Sequence, residues 1–439
     1  MPKRAKVPEQ DTASKEPIEE AATSERGDMR EQAAVATERT EGATATVVKT
    51  NGARNGKLAA EAVLAERPEI SLPPHFEFNQ VDPVHIAGLL PAPPPSLGAI
   101  AAFTGTWAGS GFNTIFRPHE PGSDNVLELN LTHESLAFSP SLGSVPNRGM
   151  VQGDVFLNGV PYLQTISDVT TAQPVGIHVE PGLWIAVPPT EDPAEGQSYV
   201  RMGSIPHGTT ICAQGTSSTI SGPPTIPTVD ITPFITSSGQ KIHFQSQDAT
   251  PPSPDRIPDD LSGVGITQAM LDDPNSVLRA HIASQHIVAT TVISISTSPG
   301  TPLFGGGADN IAFLLGFAGA VSSPQSVGQN AQTVLMNATF WIETVRHTIL
   351  LPPIPKPLKV ANTPMEVRPE GHAPGAPVPT FTIQPDIPFP FPHPHPITIE
   401  TKQIQYSQTV LLNFNGLSWP HVSVATLVPA SPIPISPNW

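Results

Sequence analysis

The sequence predicts a mainly β protein, an antiparallel barrel or sandwich with long excursions. Three observations predict it. From Ile100 onward, short runs rich in Thr, Val, Ile and Phe place apolar residues at every second position, the period that gives a strand two distinct faces. Gly, Pro, Asn and Ser separate these runs as turn signals. Finally, Gly105, Trp107, Gly109 and Gly111 form G-x-W-x-G-x-G in the first run. Trp107 and the glycines share one strand face, so a large aromatic stands beside bare backbone; glycine inside a strand marks a bend or a close approach. An aromatic closing one end, with open backbone beside it, suits a barrel with a ligand cavity.

In chain order, residues 1–70 are Ala, Glu, Thr, Lys and Arg without apolar periodicity and are expected to be a disordered tail, with a short helix over 57–67 as its one structured candidate. Residues 71–99 are a Pro-rich lead-in. The barrel domain is expected over 100–428, and 429–439 as a C-terminal tail. Strands are expected at 126–132, 153–157, 182–187, 205–213, 290–296, 338–345, 403–414 and 422–428, besides the first run. One short helix interrupts them, with Asp273 as N-cap and Pro274 at its first position. Its placement argues against an alternating βαβ architecture. Two stretches, near 221–265 and 351–396, are dense in proline, which cannot donate to a sheet ladder; both are expected as insertions. An eight-stranded barrel needs about 150 residues, so the excess length implies long insertions or a second sheet.

Composition excludes several functions. Charged residues are 14% of the chain, against roughly 25% in ordinary globular proteins. Residues 1–70 hold 11 Lys/Arg and 13 Asp/Glu, leaving 11 basic and 25 acidic side chains for the rest. That body lacks the clustered cations of a nucleic-acid binder. The single cysteine, Cys212, excludes an internal disulfide and Cys-rich metal centres. No secretory signal opens the sequence, and the longest apolar run, 311–321, is about half a membrane span. A cytoplasmic location with no membrane span is expected. No serine stands in G-x-S-x-G, and the glycine run starting at Gly305 lacks the Lys and Ser/Thr of a phosphate loop. His393 and His395 lie in a proline-locked segment where they converge poorly on a metal. His281 and His286 are roughly 140° apart around a helix. Asp259/Asp260 and Asp272/Asp273 suit helix starts.

The remaining histidines come in an ordered set. His178, Glu180 and Gly182 alternate on one strand face with Trp184 behind them. His207 follows in a Pro-His-Gly turn, and Pro420-His421 opens the last alternating strand. Taken singly, each reads as a structural or surface residue.

In this order, G-x-W-x-G-x-G, H-x-E-x-G-x-W and the closing Pro-His resemble the nitrobindin family, haem-binding barrels of the calycin group related to lipocalins and fatty-acid-binding proteins. The resemblance covers about a third of the body, and 234–323 has no counterpart in it. It implies a calycin-like antiparallel barrel with haem b in one open end and His421 as the axial metal ligand. It places Gly105, Trp107, Gly109, Gly111, Thr114 and His178 around the cofactor, Thr114 and His178 opposite the ligating side. Cys212 as a thiolate ligand is a weaker competitor. Some family members convert peroxynitrite to nitrate, which makes a haem-dependent isomerase one expectation, although no catalytic residue is assigned. The alternatives are a carrier of a hydrophobic small molecule such as a fatty acid, and a structural or assembly protein; a homo-oligomer is compatible with each.

Overall fold

The computed structural model describes residues 94–435 except 119–124, 149–152, 193, 206–207, 301–305, 311–330, 358–363, 384–386 and 388–389. The expectations for the tail, the 57–67 helix, Gly305, His207 and the 311–321 run lie outside the described residues.

The strands form a closed ten-stranded antiparallel barrel. Its members are β1 Gly105–Pro118, β2 Asn125–Phe138, β3 Val155–Asp168, β4 Val175–Val187 and β5 Ser198–Ser204, followed by β6 Thr209–Ser221, β7 His286–Ser296, β8 Gln332–Leu351, β9 His395–Phe414 and β10 Leu417–Pro429. Each strand pairs with the next in sequence, and β10 pairs back with β1. The topology is therefore an up-and-down meander that leaves the barrel without an edge. Of the ten, β5 is not expected from sequence, because Arg201 interrupts its apolar run. The excess chain length is explained by insertions and by a second sheet together.

Closure depends on glycine at the β1–β10 seam. A Cβ on Gly109 would lie 1.9 Å from the Thr426 carbonyl oxygen, and one on Gly111 would lie 2.1 Å from that of Val424. The two backbones approach where no side chain fits. One end of the barrel is packed shut. A 3-10 turn at Gly98–Ala102 enters it, with Ile100 and Phe103 fully buried. Phe103 stacks on Phe138 at 4.8 Å and meets Trp184 edge-on at 5.3 Å, and Trp184 meets Phe340 at 5.1 Å. Trp107 lies in the same cluster and donates its indole N–H to the Thr104 carbonyl.

The first insertion coats the outside of the barrel. Phe112 and Phe116 of β1, Leu127 and Leu129 of β2, and Trp341 and Val424 face outward into a second core, which Trp419 joins near the start of β10 by stacking on Phe414 and Phe244. Ile226, Ile231, Leu261, Leu271 and Leu278 of the insertion complete it. Proline-rich chain cannot satisfy itself with ladder hydrogen bonds. Instead Arg256, 1% exposed, donates to the carbonyls of Ser246, Asp248, Ala249, Pro258 and Asp259. Two helices follow, α1 Gln268–Asp272 and α2 Asn275–Ile282. The helix starts one residue later than expected, with Pro274 rather than Asp273 at the capping position; Asp273 Oδ1 still accepts from the Asn275 N–H at 3.1 Å. α2 lies on the barrel, where His281 Nδ1 meets Thr426 Oγ1 at 2.9 Å and the Leu278 carbonyl accepts from Gln405. The second insertion forms a three-stranded sheet from Met365–Val367, Phe381–Ile383 and Ile433–Ile435. It packs on Ile349 and Leu351 at the end of β8. The segment 429–439 thus contributes a strand and is not simply a tail. No described helix is long and apolar enough to cross a membrane.

Two expectations follow. Gly109→Ala should cost about 3 kcal/mol or more, because the backbone it strikes cannot move aside; urea unfolding of the variant measures it. Glu343, fully buried on the outer face of β8 with one oxygen unpartnered, is pushed by burial from its ordinary 4.5 to about 8, the Gln403 hydrogen bond offsetting only part. Between those values the unfolded chain has lost this proton while the folded protein keeps it, so Glu343 makes stability fall as pH rises through that window. Glu343→Gln should flatten the urea midpoint over the same range, by a few kcal/mol at its upper end.

Candidate functional site

The end opposite Trp107 holds a cavity of about 460 Å³, within the roughly 300–1,000 Å³ range of small-molecule sites. Its two sides differ in chemistry. On one, Gln408 of β9, Ser423 of β10, Asn113 of β1 and Asn130 of β2 stand directly opposite one another across four adjacent strands. They form an uncharged polar belt. Asn113 Nδ2 donates to Asn130 Oδ1 at 3.0 Å, and Ser423 Oγ donates to Asn113 Oδ1 at 2.8 Å. The other side is richer in apolar groups: Ile166, Ile177, Ile205 and Ile211 line it, with Gln164, His178 and Thr209 among them. Here β4 carries a bulge: Ile166 pairs with His178 and Ser167 with Gly176, leaving Ile177 as the extra residue. The bulge brings both Ile177 and His178 to the cavity wall.

His421 lines the cavity two residues above the belt, on β10, and its Nε2 meets Asn113 Oδ1 at 2.7 Å. His178, on the facing wall, approaches Glu180 Oε2 with its Nε2 at 3.3 Å. In the closed order β10, β1, β2, β3, β4, the strands carrying the two imidazoles stand four steps apart, which places them across the barrel from each other.

Below the cavity lies a buried polar layer. Arg201, with a side chain 3% exposed, holds Glu180 through Nη2 at 2.8 and 3.0 Å. Its Nε donates to Tyr162 Oη at 3.0 Å, and its Nη1 donates to Gln408 Oε1 at 2.7 Å. Tyr162 in turn donates to Glu180. A second carboxylate, Glu134, accepts from Tyr406 Oη at 2.6 Å, from Thr132 at 3.1 Å and from Gln164 at 3.3 Å. The two acids are tuned apart. Burial pushes both up, and in Glu134 it prevails over the hydrogen bonds. In Glu180 the Arg201 guanidinium, aided by His178 and Tyr162, outweighs burial and holds the group at about 2.

The structure sorts the residues expected from sequence. His421 and His178 reach one cavity, and His178, Glu180, Gly182 and Trp184 do share the inner face of β4. Thr114 does not reach the cavity: it has the opposite parity to Asn113 and is fully buried under the first insertion. Trp107 belongs to the closed end, with its ring in the core rather than on the cavity wall. Gly109 and Gly111 admit the β10 backbone, not a ligand, and Gly105 is an exposed strand start with φ 65°. Cys212 faces the outer wall, since its neighbours Ile211 and Ala213 take the inner positions; burial pushes its thiol up. His395 packs near Phe391 at 5.2 Å, and no cluster of three metal-ligating residues occurs among the described residues.

The sequence reading missed Arg201, Glu134, Asn113 and Gln408. A signal for the first existed: an arginine inside Ser-Tyr-Val-Arg-Met-Gly is conspicuous in a body with 11 basic residues. The remaining three look like the solvent face of ordinary alternating strands.

Removing one partner of the buried pair leaves the other charge uncompensated. Arg201→Met should cost about 3–5 kcal/mol in urea unfolding, and adding Glu180→Met should recover most of it. Equal losses in the single and double variants would show that the pair is not coupled.

No family model, curated protein or solved structure matches this chain.

Proposed function

We propose that the open end of this barrel binds haem b, with His421 as the protein's donor to iron. One observation carries the proposal: an imidazole stands on the wall of an open-ended cavity, with an isoleucine wall facing it. The donor set suits the group. An uncharged imidazole is a haem ligand, no cysteine reaches the cavity, and the isoleucines offer a porphyrin face a water-poor surface. The Asn113 contact is the cost. An imidazole nitrogen that meets an amide oxygen carries the proton, so ligation through Nε2 exchanges that hydrogen bond for a metal bond. Asn113 would keep Ser423 and Asn130 as partners. His178, tethered to Glu180, faces His421 across the cavity and would shape the opposite side. Arg117 at the rim is ion-paired to Glu128 at 3.0 Å, so that pair adds no net charge to the mouth.

Ferric haem held by His421 would supply the chemistry that isomerises peroxynitrite to nitrate, and that isomerisation is part of the proposal. The chain's own contribution is to hold the group by one imidazole, keep water from its apolar face and leave the opposite side open.

Titration with hemin should produce a Soret band that saturates at one equivalent. His421→Ala should abolish it while His178→Ala retains it. An unchanged spectrum in the His421 variant rejects the assignment.

A further inference from the structure

We propose that the deep end of this cavity accepts an uncharged hydrogen-bond acceptor, such as the carbonyl of an apolar molecule, which it binds through Gln408, and that it turns carboxylates away. The proposal rests on the same cavity as the haem reading but concerns its floor, two residues deeper than His421.

A barrel that buries the head of a fatty acid needs an available cation. Among the described residues the arginine of the polar layer is Arg201, and each of its three side-chain nitrogens is already engaged: Nη2 with Glu180 and, at 3.4 Å, Gln164, Nε with Tyr162 and Nη1 with Gln408. Glu180 also cancels its charge. Glu134 adds a second buried carboxyl, 1% exposed, which is held by hydrogen bonds from Tyr406, Thr132 and Gln164 rather than by an ion pair among the described residues. A carboxylate brought to this floor would be a third acid facing one arginine already engaged, and its desolvation would go unrepaid.

Gln164, Tyr406 and Gln408 of this layer all line the cavity; the first two are engaged with Glu134 and with each other, which leaves Gln408 as the group to meet an occupant. An arginine can only donate, so the Gln408 atom at 2.7 Å from Nη1 is its carbonyl oxygen. That fixes the amide orientation. The amino group is turned from Arg201, and Gln408 lines the cavity. A charge-assisted bond at the oxygen polarises the amide and strengthens the N–H as a donor. Glu180 and Arg201 therefore act as positioning residues for one donor, and the isoleucine wall opposite suits the hydrocarbon part of the occupant.

The test uses the full chain without added haem and displacement of Nile red by 2-decanone or decanoate at pH 7.5. The ketone should displace the dye at a concentration about tenfold or more below that of decanoate. Gln408→Leu should weaken the ketone about fivefold, the effect of one neutral hydrogen bond. Glu180→Gln frees Arg201 and should raise decanoate affinity about tenfold or more. Decanoate binding as well as the ketone in the unaltered protein, or a ketone affinity indifferent to Gln408→Leu, overturns the proposal. Should Glu180→Gln fail to fold, those two results still decide it. A hemin titration run alongside separates the two readings. No Soret band with the ketone preference intact rejects haem alone, whereas a Soret band with no ketone preference rejects this floor alone.

Discussion

The β1–β10 seam holds the molecule together. Trp107 opposite Pro429 and Thr114 opposite Val422 bound a ladder between the first and last barrel strands, segments with almost the whole domain between them in sequence. Chain entropy opposes so distant a pairing, and an alternative exists in which the meander stays an open sheet with two exposed edges. Gly109 and Gly111 favour closure by letting the backbones approach to a separation that no Cβ would permit. The cavity's chemistry depends on this seam directly. Asn113 comes from one side, His421 and Ser423 from the other, and their hydrogen bonds exist only when the barrel is shut.

Closure also creates an inside that is divided in two. The end near Trp107 is packed with aromatic rings, whereas the other end buries polar groups. That is tolerable because the buried polar groups satisfy one another: a bidentate guanidinium–carboxylate pair, two tyrosine hydroxyls and two glutamine amides leave few lone pairs idle. The outer coat makes the inversion possible. Leu127 and Leu129 of β2 lie under the first insertion, while Asn130, Thr132 and Glu134 of the same strand face inward. A barrel without that coat would have to turn its leucines in and its carboxylates out, and there would be no polar belt or floor.

Much of the strand content was legible from sequence, as was the helix start to within one residue: Pro274 rather than Asp273 takes the capping position, and Asp273 accepts the Asn275 N–H. The histidine–glutamate–glycine–tryptophan alternation on β4 was also legible, because a two-residue period survives a bulge beyond its end. Thr114 was misread for the same reason that the inner face of β2 was unreadable, although β2 itself was expected as a strand. Alternation separates two faces but does not say which one is the interior, and here both are buried. Arg201 hid β5, because a charged residue argues against burial until its partner is known, and that partner, Glu180, lies on the neighbouring strand.

By itself, the sequence determined the features set within a few residues: strand class, turn punctuation, one helix start and the Gly–Trp pattern of the opening strand. Each depends on local sterics and on hydrogen bonds that a short peptide already contains. Tertiary structure alone decided the strand number, which face of each strand lines the cavity, and the joining of one arginine to one of two acids. These are properties of closure, since the sign of a face and the identity of a partner exist only once distant strands have met.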